Sequence, residues 1–393
     1  MSTARFEFAT AQRVVFGRGQ LALLGELAAG YGARASLVAG EHLKASGALA
    51  ALEELLVEKG LAVDRLLAHG EPEVPDVDAA AERMRASGAE VVVGIGGGSV
   101  LDLAKAAAGV AANGGSVREY LEGVGNGRLV RRPGLPFIAV PTTAGTGSEV
   151  TRNAVIASHA EGFKKSIRSP LLLPAVALVD PALTDSVPPE QTAASGLDAL
   201  TQLIEPYVSL RAQPMTDALA LEGIRLAARA LPRAFSDPGD RQARDDLALA
   251  SLLGGLCLAN AGLGAVHGIA AALGALCELG HGLSCATVLA ATLEGNIRAL
   301  ERRDPRGPAL ARYARLGEVL AGRSFSSASE ARKAAVATVR SLVETLEVPR
   351  LGALGVGEAR IAALVEQSRG SSMRSNPIAL EDGEIEAILR AAL

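Results

Sequence analysis

The chain has 393 residues, with 39 basic and 43 acidic side chains and a formal net charge of −4. Because it carries no excess of positive charge, a nucleic-acid partner is not indicated. Its length exceeds what one typical hydrophobic core encloses, and we expect two domains. The three cysteines show no paired spacing. They therefore indicate neither a disulfide framework nor a zinc knuckle, and we interpret them as small buried apolar residues.

The N-terminal residues show no apolar segment with a small-residue cleavage site, so a cytoplasmic protein without a secretory signal is expected. The chain between Asp246 and Glu278 contains no charged residue and is long enough to suggest a membrane span. Glycines, Asn260 and His267 interrupt it, and their polar groups would need partners inside lipid. We expect buried core helices here and no membrane partner.

The first half of the chain alternates short apolar runs with helical periodicity. The predicted strands cover residues 35–39, 91–95 and 137–140, and the predicted helices cover residues 46–59 and 101–112. This alternation is typical of parallel strands joined by crossover helices. We predict an α/β, doubly wound parallel sheet in a dinucleotide-binding domain over residues 1–185.

Strand signals stop after Pro188, and Ala, Leu and Glu then follow helical periodicity. We predict an all-helical domain over residues 186–393, with a hinge at Asp180-Pro181 and Pro188-Pro189. Glycines and four prolines are expected to break its helices. These prolines are Pro206, Pro214, Pro232 and Pro238.

A glycine-rich turn follows the predicted strand at 91–95, with Gly96, Gly97 and Gly98 preceding Ser99. Glycines let backbone amides approach a phosphate closely, and the positive end of the next helix faces it. Ser99 and Asp102 are spaced as a helix cap. A tight turn without a ligand is the alternative interpretation.

A second loop, from Pro141 to Thr151, follows another apolar run and carries several hydroxyl groups with little bulk. Such a loop suits a ribose and a second phosphate edge. Two loops of this kind at the carboxyl ends of strands indicate one extended dinucleotide.

The motifs occur in a characteristic order along almost the whole chain. They are Gly96-Gly97-Gly98-Ser99, Pro141 to Thr151, Asp180-Pro181, Gly196-Leu197-Asp198-Ala199-Leu200, Gly262 to Gly268, and His281-Gly282. Together they resemble the iron-containing, or group III, alcohol dehydrogenases. The resemblance implies an N-terminal dinucleotide domain, a C-terminal helical domain carrying metal ligands, and a cleft where nicotinamide meets the substrate.

The resemblance also implies which residues contact NAD or NADP. The candidates are Gly40, Gly96, Gly97, Gly98, Ser99, Asp102, Thr142, Thr143, Thr146, Ser148, Thr151, Asn153 and Lys164. The family's usual aspartate, which would repel a 2′-phosphate, aligns with Gly40, although Glu41 is adjacent. We therefore expect NADP(H) to be tolerated.

Asp198 and Gln202 are four residues apart and share one face of a predicted helix. The family's metal ligands, an aspartate and three histidines, correspond to Asp198, Gln202, His267 and His281. A further family histidine near the substrate corresponds to Ala271. Because an amide binds iron or zinc more weakly than imidazole does, we expect a weakened or optional site for iron, zinc or manganese.

We predict an NAD(P)-dependent oxidoreductase that interconverts an alcohol and an aldehyde or ketone, with His267, His281 and Asp198 as catalytic residues. Three alternatives stay open. The first is a metal-independent, maleylacetate reductase-like enzyme acting on an oxo-acid, in which an imidazole donates the proton and Arg152 anchors a carboxylate. The second is a lyase related to the dehydroquinate synthases, and the third is a non-catalytic nucleotide-binding protein. The resemblance suggests a homodimer.

Overall fold

A computed structural model of the chain describes residues 5–393. It contains two compact units, Ala9–Asp185 and Ser186–Leu393, and residues 5–8 belong to the second of them. The expectation that no secretory signal is present concerns the first residues of the chain, and residues 1–4 lie outside the described part.

The first unit alternates strands and helices. Its elements are β1 (Arg13–Phe16), α1 (Leu24–Ala29), β2 (Arg34–Gly40), α2 (Glu41–Ala45), α3 (Ala48–Val57), β3 (Ala62–Ala68), α4 (Val74–Ala86), β4 (Val91–Gly96), α5 (Gly98–Asn113), β5 (Phe137–Pro141), β6 (Asn153–Ser158), β7 (Phe163–Arg168) and β8 (Val176–Val179). Six strands form a parallel sheet in the order β1-β8-β5-β4-β2-β3. Strands β6 and β7 form a separate antiparallel pair.

Both faces of the parallel sheet are covered, which explains why its central strands are continuous apolar runs. Val38 and Val92 point into one core with α4 and α5. Leu37, Val91 and Val93 point into the opposite core with α1 and α3. The predicted doubly wound α/β architecture is confirmed.

The predicted strands at 35–39, 91–95 and 137–140 correspond to β2, β4 and β5, and the predicted helices correspond to α3 and α5. Sequence patterning missed the edge strand β3 and the short inner strand β8. Strand β3 carries Asp64 and Arg65 and is only partly buried, while β8 has four residues. Neither offers the long apolar run that marks a central strand.

The carboxyl ends of β2, β4 and β5 are neighbours in the sheet. Gly96 of β4 pairs with Pro141 of β5, and the amide of Thr142 donates to the carbonyl oxygen of Gly96 at 3.0 Å. The turn at residues 96–98 (the glycine turn) and the loop at residues 141–151 (the threonine loop) therefore begin side by side. Parallel α/β sheets bind their ligands at this edge.

The second unit is helical. Its helices are α6 (Pro189–Val208), α7 (Pro214–Ser236), α8 (Arg241–Ala261), α9 (Ala265–Cys277), α10 (His281–Arg303), α11 (Pro308–Ala321), α12 (Ala328–Thr345), α13 (Ile361–Gln367) and α14 (Asp382–Ala392). No strand occurs among its described residues, as predicted.

Two of the four prolines do not break helices as expected. Pro206 lies inside α6 and Pro232 lies inside α7. Both lie in the last two turns of their helices. Each proline removes one backbone hydrogen bond, but only a few helical residues follow it, so the helix is not interrupted earlier along its length. Pro214 is the first residue of α7, where proline is favoured. Pro238 lies between α7 and α8.

The uncharged stretch from 247 to 277 forms α8 and α9, most of whose residues are buried. Within residues 5–393, no single helix is long and apolar enough to cross a membrane. Helices α8 and α9 reach that length and hydropathy only together, and they are bent by 99°.

A buried lysine joins α5 to the threonine loop. The ammonium of Lys105 donates to the Ser148 carbonyl and hydroxyl oxygens and the Asn153 carbonyl at 2.8 Å, and to Thr151 Oγ1 at 3.0 Å. Burial lowers the pKa of Lys105 to about 8. Burial also raises the pKa of the neighbouring Glu149 to about 7, although the charge of Lys105 opposes this shift.

The pKa of Glu149 predicts a pH-dependent stability. Folding raises this pKa from 4.5 to about 7, so the folded state holds the proton longer than the unfolded state does. The free energy of unfolding should fall between about pH 4.5 and 7, by roughly 3 kcal/mol at about 1.4 kcal/mol per pKa unit. Glu149→Gln should flatten this dependence in urea titrations, whereas Glu58→Gln, at an exposed position, should not. Equal pH profiles for wild type and Glu149→Gln would contradict the assignment.

Candidate functional site

The glycine turn is shaped by close packing. A Cβ atom on Gly96 would approach the Val100 side chain to 2.5 Å, and one on Gly98 would approach Thr146 to 2.7 Å. Helix α5 begins at Gly98, and Gly97 precedes it without a side-chain cap. The amides of Val100 and Leu101 donate to the Gly97 carbonyl oxygen, so those of Gly98 and Ser99 are left to an external acceptor, as in phosphate sites.

The predicted cap formed by Ser99 and Asp102 is wrong, because the helix begins before Ser99. Asp102 instead accepts hydrogen bonds from the Ser148 hydroxyl at 2.6 Å and from the Val155 amide at 2.8 Å. Burial raises the pKa of Asp102, although the nearby charge of Lys105 opposes this shift. Asp102 therefore holds the threonine loop against α5.

Four of the predicted nucleotide residues surround Lys105. They are Asp102, Ser148, Thr151 and Asn153. The hydroxyl groups of Ser148 and Thr151 already bond to the lysine, so these residues fix the shape of the loop. Sequence reasoning missed Lys105, although a lysine within a largely apolar helix, three residues after Asp102, is an available signal. Nucleotide contacts by these residues stay a prediction.

Two other predicted nucleotide positions, Gly40 and Lys164, lie away from Lys105. Gly40 ends β2, and a Cβ atom there would meet only Val100, at 3.4 Å. The adjacent Glu41 carboxylate is 3.2 Å from Nδ1 of His69. Lys164 on β7 pairs with Glu71. The space at Gly40 is compatible with a 2′-phosphate nearby.

The helical unit brings three predicted metal ligands together. Asp198 lies on α6, His267 on α9, and His281 is the first residue of α10. Oδ1 of Asp198 is 3.3 Å from Nε2 of His267 and 3.7 Å from Nε2 of His281. Asp198 and His267 are buried, whereas the His281 side chain is 40% exposed. His42, His69 and His159 are exposed.

Gln202 contacts Asp198 directly. Its amide nitrogen donates to Oδ2 of Asp198 at 3.0 Å. This bond holds the carboxylate so that Oδ1 remains directed towards the two histidines. Ala271 lies on α9, one turn after His267, and is exposed.

Cys285 joins the same cluster. One carboxylate oxygen, two imidazole nitrogens and its own sulfur lie within 4.8 Å of one another in the group Asp198, His267, His281 and Cys285. The prediction that Cys285 is buried is confirmed. Its interpretation as a small apolar residue overlooked its position four residues after His281, on the same face of α10.

Glu205, on α6, orients His267 and was missed by the sequence analysis. Its carboxylate is 2.6 Å from Nδ1 of His267, and it accepts hydrogen bonds from the backbone amides of Gly264 and Val266. Because Nδ1 donates to this carboxylate, Nε2 is presented to Asp198. Its spacing of seven residues from Asp198 was the available signal, since both positions lie on one helical face.

The electrostatics of the cluster favour a cation. Burial acts to raise the pKa of Asp198, but the charge of His281 and the nearby imidazole of His267 lower it below its ordinary value. Burial acts to lower the pKa of His267, but the charges of Cys285 and Glu205 raise it well above its ordinary value. The charge of Cys285 also raises the pKa of His281.

Two buried atoms of the cluster that lack hydrogen-bond partners are also suited to bind a metal ion. Asp198 Oδ1 and His267 Nε2 are buried without a hydrogen-bond partner among the described residues. Leaving such atoms unpaired is costly. A divalent ion among carboxylate oxygen and imidazole nitrogen would satisfy both, and these are ordinary zinc and iron donors.

Glu205→Gln tests the orienting carboxylate. Loss of the charge should weaken the hold on His267 and lower the affinity for zinc by roughly 10-fold to 100-fold, as changes to supporting residues around metal sites do. Competition with a chromophoric chelator measures this affinity. Glu222→Gln, at an exposed pair with Arg225, should leave it unchanged. Unaltered zinc affinity in a folded Glu205→Gln protein would show that Glu205 does not position the ligand.

Family models match both units. A model described as "Iron-containing alcohol dehydrogenase" matches residues 11–181. A model described as "Fe-containing alcohol dehydrogenase family, C-terminal" matches residues 192–393. The order of the two matches is the order expected from the sequence motifs.

Similar proteins agree with these matches. The chain is 41% identical to "Long-chain-alcohol dehydrogenase 1" of Geobacillus thermodenitrificans over 77% of this chain and 75% of that protein. It is 32% identical to "NAD-dependent methanol dehydrogenase" of Bacillus methanolicus over 96% and 97% of the two chains. The crystal structure of a 1,3-propanediol oxidoreductase matches with a TM-score of 0.92 and 32% identity, covering 99% of this chain and 100% of that one. The chain therefore belongs to the iron-containing alcohol dehydrogenase family and is an oxidoreductase that interconverts alcohols and carbonyl compounds with NAD(P).

Proposed function

We propose that the protein oxidises an alcohol to its carbonyl compound and catalyses the reverse reduction, with a divalent metal held by Asp198, His267 and His281. The cluster of buried, unpartnered ligand atoms on α6 and α9 carries this proposal. When bound, the ion supplies Lewis-acid polarisation of the substrate oxygen, and NAD(P) takes up or provides the hydride. The names of the relatives support the substrate class and NAD.

The residues of the chain prepare this site in advance. The lowered pKa of Asp198 keeps its carboxylate ionised at neutral pH, so that it is an anionic ligand. Gln202 fixes one oxygen of that carboxylate, and Glu205 fixes the ring of His267. Because these contacts already exist, little reorganisation is needed on binding.

The first unit binds the dinucleotide in this proposal. The free amides at the start of α5 and the backbone of Gly97 and Gly98 receive the pyrophosphate. The loop fixed by Lys105 presents Thr142 and Thr143 at the neighbouring strand end. A homodimer, a cytoplasmic location and the lack of nucleic-acid or membrane partners stay predictions.

An activity screen tests the proposed function. The purified protein is depleted of metal and assayed by nicotinamide absorbance with a series of alcohols, aldehydes and oxo-acids, with and without zinc, iron(II) or manganese. We expect activity on alcohols and aldehydes that requires metal. His281→Ala should reduce kcat by at least about 100-fold, consistent with loss of a group placed at the reacting centre, whereas His69→Ala should not. Full activity of the metal-free protein on oxo-acids alone would favour the metal-independent reductase.

Gly40→Asp tests the predicted tolerance of NADP(H). A carboxylate at this strand end would accept a hydrogen bond from a ribose 2′-hydroxyl and would repel a 2′-phosphate. The contact with Val100 at 3.4 Å leaves room for the new side chain. We expect kcat/KM for NADP(H) to fall by at least about 10-fold relative to that for NAD(H), the effect of about 1.4 kcal/mol. A wild-type preference for NAD(H) of several hundredfold would refute the prediction.

A further inference from the structure

The cluster on α6, α9 and α10 contains one ligand-type atom that the family resemblance does not assign. Cys285 is fully buried and lies one helical turn after His281. Its Sγ atom is 3.8 Å from Nε2 of His281. It falls within the same 4.8 Å group as Asp198 and His267.

The separations between these atoms suit a shared ion. Zinc lies about 2.0–2.2 Å from nitrogen or carboxylate oxygen and about 2.3 Å from sulfur, so tetrahedral ligands stand roughly 3.3–3.6 Å apart. The Asp198 oxygen is 3.3 Å from His267 and 3.7 Å from His281. The sulfur is 3.8 Å from His281. These three separations are close to the edge of such a tetrahedron, and the other three lie within 4.8 Å.

Gln202 is a weaker candidate for the fourth position, although its amide oxygen is buried without a hydrogen-bond partner among the described residues. Its amide nitrogen is a donor and is directed at Oδ2 of Asp198. Amide oxygen is also a weaker ligand than thiolate for zinc. The sulfur of Cys285 faces a buried oxygen of Asp198 and a buried nitrogen of His267 that both lack hydrogen-bond partners among the described residues.

We propose that Cys285 is the fourth protein ligand of the metal, and that its thiolate selects zinc over manganese. On binding, the thiol proton is released to solvent and the sulfur lone pair forms the metal–sulfur bond. Soft thiolate ligands favour zinc, whereas oxygen ligands suit manganese. This inference rests on the proposed metal site but not on the identity of the alcohol.

The proposal changes the expectation drawn from Gln202. Replacement of one imidazole by an amide alone predicts a weak or optional metal. With Cys285 as a ligand, the donor set becomes one carboxylate, two imidazoles and one thiolate, which is sufficient for tight zinc binding. Zinc sites also expand from four to five ligands, so a fourth protein ligand is compatible with catalysis.

Cobalt substitution tests the ligand directly. The full-length protein is depleted of metal, loaded with one equivalent of cobalt(II), and examined by absorption spectroscopy. A thiolate ligand gives a sulfur-to-cobalt charge-transfer band in the near ultraviolet. We expect this band in the wild type and in Cys277→Ser, whose thiol lies at the end of α9, and its loss in Cys285→Ser.

Competition measurements test the selectivity. Cys285→Ser should lower zinc affinity by at least about 10-fold, and manganese affinity by much less, because oxygen replaces sulfur. Cys285→Ala provides a second variant, and circular dichroism establishes that each variant is folded. A wild-type protein that binds cobalt without the band, a band that persists in Cys285→Ser, or failure to bind cobalt would each overturn the proposal.

These outcomes are distinguishable from failure of the proposed function. Alcohol oxidation that depends on metal, together with a cobalt spectrum lacking the band, would leave the function standing and remove only Cys285 from the ligand set. A cobalt–thiolate band in a protein without NAD(P)-dependent turnover would support Cys285 as a ligand and contradict the proposed function.

Discussion

The helical site depends on the placement of two buried carboxylates along one face of α6. Asp198 and Glu205 are each close to fully buried, and His267 lies between them, with one ring nitrogen directed at each. Buried carboxylates are costly unless they are paired and hydrogen-bonded. The N-terminal end of α9 meets this requirement for Glu205, since the amides of Gly264 and Val266 donate to its carboxylate. What remains unpaired is the side of Asp198 that faces the other ligands, and this is where a cation is favoured.

The dinucleotide unit relies on a different constraint, a buried cation. Lys105 replaces its water shell with oxygen atoms from Ser148, Thr151 and Asn153. It thereby converts a loop rich in glycine and threonine into a fixed surface at the ends of β4 and β5. A loop of that composition without such an anchor would lose more conformational entropy on binding a ligand. Preorganisation is thus a feature of both units, with opposite charges at the centre of each.

Much of this was predictable from sequence. Long apolar runs identify β2, β4 and β5. The ordered glycine, threonine and histidine motifs predict the family, and through it they predict that Asp198, His267 and His281 form one site. Periodicity could not identify β3, because charged residues interrupt it, nor the helical continuation through Pro206 and Pro232. The roles of Lys105, Glu205 and Cys285 depend on which atoms they meet in three dimensions. Their spacing from Asp102, Asp198 and His281 was an available signal, but spacing alone does not show which atoms they contact.

X-ray absorption spectroscopy at the zinc edge of the purified, zinc-loaded protein measures the central claim most directly, since it reports the atoms around the ion without requiring turnover. The account predicts one tightly held zinc per chain, with the multiple-scattering signature of two imidazoles and short-range oxygen and sulfur neighbours. A shell of oxygen atoms alone, without imidazole scattering, would contradict the assignment of Asp198, His267 and His281 as the metal site.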